Sequence, residues 1–126
     1  MDRNIAVIGA GYWGKNLVRN FAELGALHTI CDTNPKVLKE FEMTYPDVSQ
    51  EISLQSILVS NEVKGVVIST PAALHYSMTR EALLADKDVF VEKPLALRVE
   101  EGEELVKLAE ERGKLLMVGQ VAVLLE

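Results

Sequence analysis

The sequence predicts a doubly wound, parallel α/β sheet in one domain, with six strands in the order 3-2-1-4-5-6. Three observations point there. An apolar strand-like run, Ile5-Ala6-Val7-Ile8, meets Gly9-Ala10-Gly11-Tyr12-Trp13-Gly14, after which helical periodicity takes over. Strand-like and helical stretches then alternate to the end of the chain. Halfway along, Gly65-Val66-Val67-Ile68-Ser69 is a continuous β-branched run, the pattern of a central parallel strand buried on both faces. Right-handed crossovers fix the strand order and place a ligand crevice at the carboxyl ends of strands one and four.

Each glycine of the first turn has a distinct task. Gly9 allows the tight turn, Gly11 leaves room for a pyrophosphate, and Gly14 lets helix and strand pack closely. The first helix aims unpaired N–H groups and the positive end of its dipole at that position. An ordinary glycine turn between a strand and a helix fits the same letters. Trp13, Leu17, Val18, Phe21 and Leu24 recur at helical spacing and form one apolar face, with Gly25 where a C-cap glycine belongs. Residues 26–31 form the second strand, closed by Asp32. His28 within it receives no role, and Cys31 reads as an inert core thiol rather than a nucleophile.

Pro35 suits the first turn of a second helix over residues 36–45, with Val37, Leu38, Phe41 and Tyr45 inward, and Pro46-Asp47 breaks it. Residues 48–51 make a very short third strand. Ser53 is the N-cap of a short helix carrying Leu54, Ile57 and Leu58. The β-branched fourth strand ends at Thr70-Pro71. A helix over residues 74–85 follows, with Met78, Ala82 and Leu83 as its core stripe. Residues 88–91 form the fifth strand, closed by Glu92-Lys93-Pro94. The last helix covers residues 99–112 with Val99, Leu105, Val106 and Ala109 inward, and four glutamates crowd its first turns where they favour the dipole. Gly113 ends it, and residues 115–118 form the sixth strand.

The bulk properties bound the function. With 126 residues the chain suits one domain, and 48% apolar with 25% charged residues gives a proper core and a polar surface. A formal charge of −6 without a basic stripe argues against nucleic-acid binding. No apolar stretch is long enough to span a bilayer, and the N-terminus lacks the form of a signal peptide. A single cysteine excludes an internal disulfide and fits a cytoplasmic location. No cluster with metal-ligand spacing stands out.

Asp32 supports the dinucleotide reading. It stands 18 residues past Gly14, at the end of the second strand, where a carboxylate accepts hydrogen bonds from both adenosine ribose hydroxyls. The same charge repels a 2′-phosphate, and Thr33-Asn34 supply no cation to offset it, so NAD is preferred over NADP. A solvated aspartate capping the loop before Pro35 is the plainer alternative. Ser69, Thr70 and Pro71 lie where the chain crosses the crevice and can line the nicotinamide half. His75 follows at the start of the next helix, facing either the crevice or water. Lys93, held at a strand end beside Pro94, can hydrogen-bond the nicotinamide ribose and a substrate hydroxyl, favouring an alkoxide as hydride leaves. A surface lysine in a turn fits the spacing equally.

The chain resembles the Gfo/Idh/MocA family of oxidoreductases (glucose-fructose oxidoreductase, inositol dehydrogenase, rhizopine catabolism) over nearly its whole length. The resemblance rests on Val7-Ile8-Gly9-Ala10-Gly11-Tyr12-Trp13-Gly14, on Ser69-Thr70-Pro71 with His75, and on Val89-Phe90-Val91-Glu92-Lys93-Pro94-Leu95, that family's signature. The stretch Gly11-Tyr12-Trp13-Gly14-Lys15-Asn16-Leu17-Val18-Arg19-Asn20-Phe21 looks most like members that oxidise position 3 of UDP-N-acetyl amino sugars or their uronates. The resemblance implies a Rossmann fold and NAD as cofactor. It implies that Lys93 is catalytic and bridges nicotinamide ribose and substrate, that Glu92 and Pro94 shape the strand end, and that Tyr12 and Trp13 lie over the pyrophosphate and nicotinamide. The implied cofactor set runs from Gly9, Gly11 and Gly14 through Asp32 and the crevice residues to Gln120.

Three positions depart from the family pattern. Asp86 stands where a helix-ending glycine is usual, Arg98 occupies a Ser/Thr N-cap site, and Gly119 is followed by Gln120 rather than His. On this reading residues 1–120 are the NAD-binding domain, and residues 121–126, an apolar run, fall where the family's second, substrate-bearing domain begins. The expected parent reaction is hydride transfer between a sugar carbinol and nicotinamide, with the isolated chain inactive. A stand-alone dinucleotide-binding or redox-sensing module is the rival. The apolar run also suggests pairing with a second copy as a homodimer.

Overall fold

The computed structural model describes residues 2–11 and 14–119. Six parallel strands are arranged β3-β2-β1-β4-β5-β6, as the sequence predicts. The strands are β1 (Ile5–Ile8), β2 (Leu27–Cys31), β3 (Ser49–Glu51), β4 (Gly65–Ile68), β5 (Asp88–Glu92) and β6 (Leu116–Gly119). Between them run α1 (Gly14–Glu23), α2 (Pro35–Lys39), α3 (Leu54–Leu58), α4 (His75–Leu84) and α5 (Val99–Arg112), with a short 3-10 turn at Ala72–Leu74 leading into α4.

β1 is paired on both edges, with Val7 opposite Ile30 of β2 and Val67 of β4. Alternate side chains therefore enter two cores. Ala6, Ile8, Val66, Ile68, Val89 and Val91 face one, shared with Leu83, Leu105 and Ala109 of α4 and α5. Val7, Leu27, Ile30 and Val67 face the other, against Leu17 and Val18 of α1 and Leu38 of α2. Burial of both faces explains why these strands are unbroken apolar runs rather than alternating ones.

The helix ends follow local chemistry. Asn34 caps α2 by accepting from the Lys36 N–H at 3.0 Å, with Pro35 at its first turn. Ser53 caps α3 through the Gln55 N–H at 3.2 Å. α5 stops at Gly113, whose φ of 65° is left-handed. After α4, Asp86 adopts φ 61°, a glycine-like conformation that aspartate tolerates, and its carboxylate accepts from Arg112 at 3.2 Å. Arg98 precedes α5 without a side-chain cap, so Glu100 and Glu101 in the first turn are left to complement the dipole.

Several expected details differ. α2 is one short helix, because from Glu40 to Glu42 the backbone bonds tighten to i→i−3 before Pro46 ends the run. Val99 and Val106 of α5 are exposed rather than inward, because α4 packs against the Leu105–Ala109 side and nothing among the described residues covers the next stripe. Leu24 is likewise exposed. It borders an apolar groove of about 730 Å³ on the α1 side of β4, β5 and β6, where Leu17, Phe21, Phe90, Leu115 and Met117 meet with no helix of the described residues above them. The sixth strand is shifted by one residue to Leu116–Gly119. Tyr12, Trp13, Gln120 and the apolar run at 121–126 lie outside the described residues.

Candidate functional site

The carboxyl ends of β1, β2, β4 and β5 converge where the strand order reverses, between β1 and β4. Backbone hydrogen bonds extend each pairing past the strand ends. Gly9 N–H donates to Cys31 O at 2.8 Å, Ser69 N–H to Ile8 O at 2.9 Å, and Lys93 N–H to Gly119 O at 2.7 Å. Gly9, Asp32, Ser69 and Lys93 are thereby fixed around one rim.

The glycine turn is built as the spacing suggests. Gly9 has φ 91°, and a Cβ there would stand 2.8 Å from Ser69 O. A Cβ on Gly14 would stand 1.8 Å from Gly9 O, so only glycine lets α1 begin this close to β1. A Cβ on Gly11 would meet no other described residue within 4 Å. The empty space at Gly11, in front of the first turn of α1, is what a pyrophosphate needs, and it is the observation by which these residues fit a dinucleotide. α1 starts at once, since Lys15 N–H donates to Gly11 O at 3.0 Å.

Asp32 is half-buried and held at both oxygens. Ala10 N–H donates to Oδ2 at 3.0 Å and Asn34 N–H to Oδ1 at 2.9 Å. The carboxylate thus caps its own loop and also braces the glycine turn. Each oxygen retains acceptor capacity. Ala10 and Asn34 were not among the expected site residues. Asn34-Pro35 is a helix-start signal that could have found the second of them.

Across the switch point, Ser69 Oγ donates to Gly9 O at 3.1 Å, and Thr70 Oγ1 to Met78 Sδ at 3.3 Å, with Pro71 exposed beyond them. At the end of β5, Glu92 is half-buried, Lys93 is exposed, and the Lys93–Pro94 bond is cis. Burial pushes the Glu92 carboxyl above its ordinary range, partly countered by the charge of nearby His75. His75 is 2% exposed, which excludes the water-facing alternative. Its ring lies between two main-chain carbonyls, Nδ1 at 2.6 Å from Pro94 O and Nε2 at 2.7 Å from Thr70 O. Both polar atoms of the ring are engaged by the chain itself.

Other titratable groups stand apart from the rim. Cys31 is buried, with its thiol pushed up to about 11 by burial and by the Asp32 and Glu51 charges. His28 bonds Thr29 and Glu62 at the opposite end of β2. Among the described residues no group of three His, Cys, Asp or Glu could hold a metal ion, and no helix is long and apolar enough to cross a membrane.

Comparison with known proteins agrees with this geometry. Residues 3–120 match the GFO_IDH_MocA family, described as an oxidoreductase family with an NAD-binding Rossmann fold. A glycosyl hydrolase family 109 protein of Shewanella amazonensis is 33% identical over 117 residues, 84% of this chain and 26% of that protein. The WlbA dehydrogenase of Bordetella pertussis, solved with NADH and UDP-GlcNAcA, superposes with a TM-score of 0.84 at 32% identity, over 94% of this chain and 37% of that one. The UDP-N-acetylglucosamine 3-dehydrogenase GnnA of Acidithiobacillus ferrooxidans superposes at 0.85 with 28% identity, over 94% and 38%. The chain thus spans between a quarter and two-fifths of the length of these relatives. A sequence matched from its third residue to Gln120, on a sheet wound in this order around this glycine turn, belongs to the Gfo/Idh/MocA oxidoreductase family as its NAD-binding Rossmann domain.

Proposed function

We propose that this domain serves an NAD-dependent sugar dehydrogenase whose substrate is a UDP-N-acetyl amino sugar or the corresponding uronate. The substrate class is supported by the likeness to WlbA and GnnA and by the run from Gly11 to Phe21. When bound, the nicotinamide supplies the hydride acceptor and donor. The chain's own residues hold and orient it. Gly11 leaves the pyrophosphate its space, and the start of α1 meets it with N–H groups. Asp32 accepts from the adenosine ribose hydroxyls and repels a 2′-phosphate. The exposed Lys93 ammonium donates toward the nicotinamide ribose and toward the sugar oxygen, where its charge favours negative charge on that oxygen. Glu92 and Pro94 shape the strand end that presents it.

The observation that carries the cofactor assignment is the Asp32 carboxylate, strapped by the Ala10 and Asn34 N–H groups beside the open space over Gly11. Calorimetric titration with NAD and NADP tests it, and tighter binding of NAD is expected. Asp32→Ala should weaken NAD by about 1–3 kcal/mol, the cost of leaving polar partners unpaired. Equal or tighter binding of NADP by the unaltered chain would refute the assignment. For the substrate class, UDP-N-acetylglucosamine and its uronate should reduce NAD in the presence of the complete enzyme, whereas unphosphorylated sugars should not.

A further inference from the structure

We infer that His75 is a positioning residue for the nicotinamide end of the crevice, acting through the main-chain carbonyls of Thr70 and Pro94 without touching the cofactor. The inference rests on the proposed placement of nicotinamide beside Lys93 and adds a residue that holds that placement. β4 ends at Ile68 and β5 at Glu92, so Thr70 and Pro94 lie two residues past neighbouring strand ends. Both offer carbonyl oxygens, which cannot bond one another. A rigid ring with a nitrogen at each side, 2.7 Å from one oxygen and 2.6 Å from the other, joins them. Both partners only accept, so the join requires the doubly protonated ring, which donates to both, whereas a neutral imidazole would hold only one of them. Asparagine or glutamine has its donors on one atom and cannot span the pair the same way.

Among the described residues the ring makes its hydrogen bonds to these two carbonyls, and its charge is also felt by Glu92. It does not cap α4, which begins without a side-chain cap, and it is too buried to meet solvent. What it joins is a continuous path. Lys93 is held by its N–H on Gly119 O, and the carbonyl of the following residue, Pro94 O, is held by His75. On the other side His75 holds Thr70, whose neighbour Ser69 is bonded to Ile8 O by its N–H and to Gly9 O by its hydroxyl. The lysine and the phosphate turn are thereby tied through one buried ring.

The test uses the 126-residue chain titrated with NADH and with ADP-ribose, which shares the adenosine and pyrophosphate but lacks nicotinamide. His75→Gln and His75→Asn each keep one donor end. Both should leave ADP-ribose affinity within about twofold, weaken NADH by about five- to tenfold, and reduce the fluorescence change of bound NADH, as expected when one hydrogen bond of the path is lost. Equal losses for the two ligands, or no loss for either, overturn the inference. If neither variant folds, the unaltered chain labelled with ¹⁵N-histidine serves instead, with His28→Gln assigning the two rings. The His75 ring signals should then shift with NADH and stay in place with ADP-ribose, and identical responses overturn the inference. An unaltered chain that binds both ligands alike, with no change in nicotinamide fluorescence, removes the nicotinamide subsite and so the parent reading. Failure confined to the His75 measurements removes only the inference.

Discussion

Gly11 and Gly14 are separated by three positions and should respond oppositely to a side chain. At Gly14 a Cβ collides with a main-chain oxygen 1.8 Å away, so Gly14→Ala must push α1 off β1. Loss of several kcal/mol is expected, in the range of severe core overpacking. At Gly11 no other described residue stands in the way, and Gly11→Val should leave the fold within about 0.5 kcal/mol of the parent while filling the place proposed for the pyrophosphate. Circular dichroism and NAD titration of both variants separate the roles; retained NAD affinity in Gly11→Val removes the phosphate-loop assignment. Cys31 provides a second check. Buried, with a thiol held at about 11, it should resist alkylation by iodoacetamide at neutral pH until the chain unfolds. Asp32 was legible at this scale because its spacing from the glycines is a feature of the chain itself. The straps on it were not, since backbone donors carry no letter in the sequence.

Among the elements, the short segment from α3 to β4 is anchored from the start of β5 by the Lys87 side chain, besides the bond from His28 to Glu62. Lys87 is nearly buried and donates to Ser60 O at 2.6 Å and Val63 O at 2.7 Å, which fastens the chain entering β4 to the start of β5. Lys87→Met keeps the aliphatic stem and strands both carbonyls. A loss of about 1–3 kcal/mol in denaturant unfolding is expected. At the far end of β5, Glu92 supplies a pH signature. Burial raises its carboxyl, so the folded state binds its proton more tightly than the unfolded chain. Its contribution is fully present below the ordinary carboxylate range and is lost as pH rises through the raised value. Glu92→Gln, which cannot titrate, should therefore gain stability relative to the parent as pH rises through and above the ordinary carboxylate range. A constant difference across that range would show that Glu92 titrates normally. Strand order and helix starts were readable because periodicity, Pro35, Ser53 and Gly113 are local signals. The exposed faces of Val99, Val106 and Leu24 were not, because a stripe of apolar residues does not state whether a neighbour covers it.

For the molecule as a whole, the dinucleotide is expected to behave as a clamp between two half-sheets. Asp32 lies in the β1-β2-β3 half, Ser69 and Lys93 in the β4-β5-β6 half, and Gly9 at their junction. At a hundredfold excess over Kd, NAD should stabilise the fold by about 2.7 kcal/mol and raise Tm by several degrees, with NADP giving less at the same concentration. Asp32→Ala should remove much of that difference between the two cofactors, and thermal scans at matched ligand concentration check it.

The bond from Ser69 to Gly9 joins residues 60 positions apart, and it has a consequence in time. During synthesis β1 and β2 emerge together and can pair early. The second edge of β1 stays open until β4 appears and Ile5 finds Gly65. Until then the glycine turn lacks Ser69, and a bare apolar edge faces the crowded surroundings of the ribosome. Nascent chains arrested with only residues 1–64 exposed should leave the β1 amides open to pulsed deuterium exchange and should stick to one another. Chains exposing β4 and the residues just beyond it should protect those amides and lose that tendency.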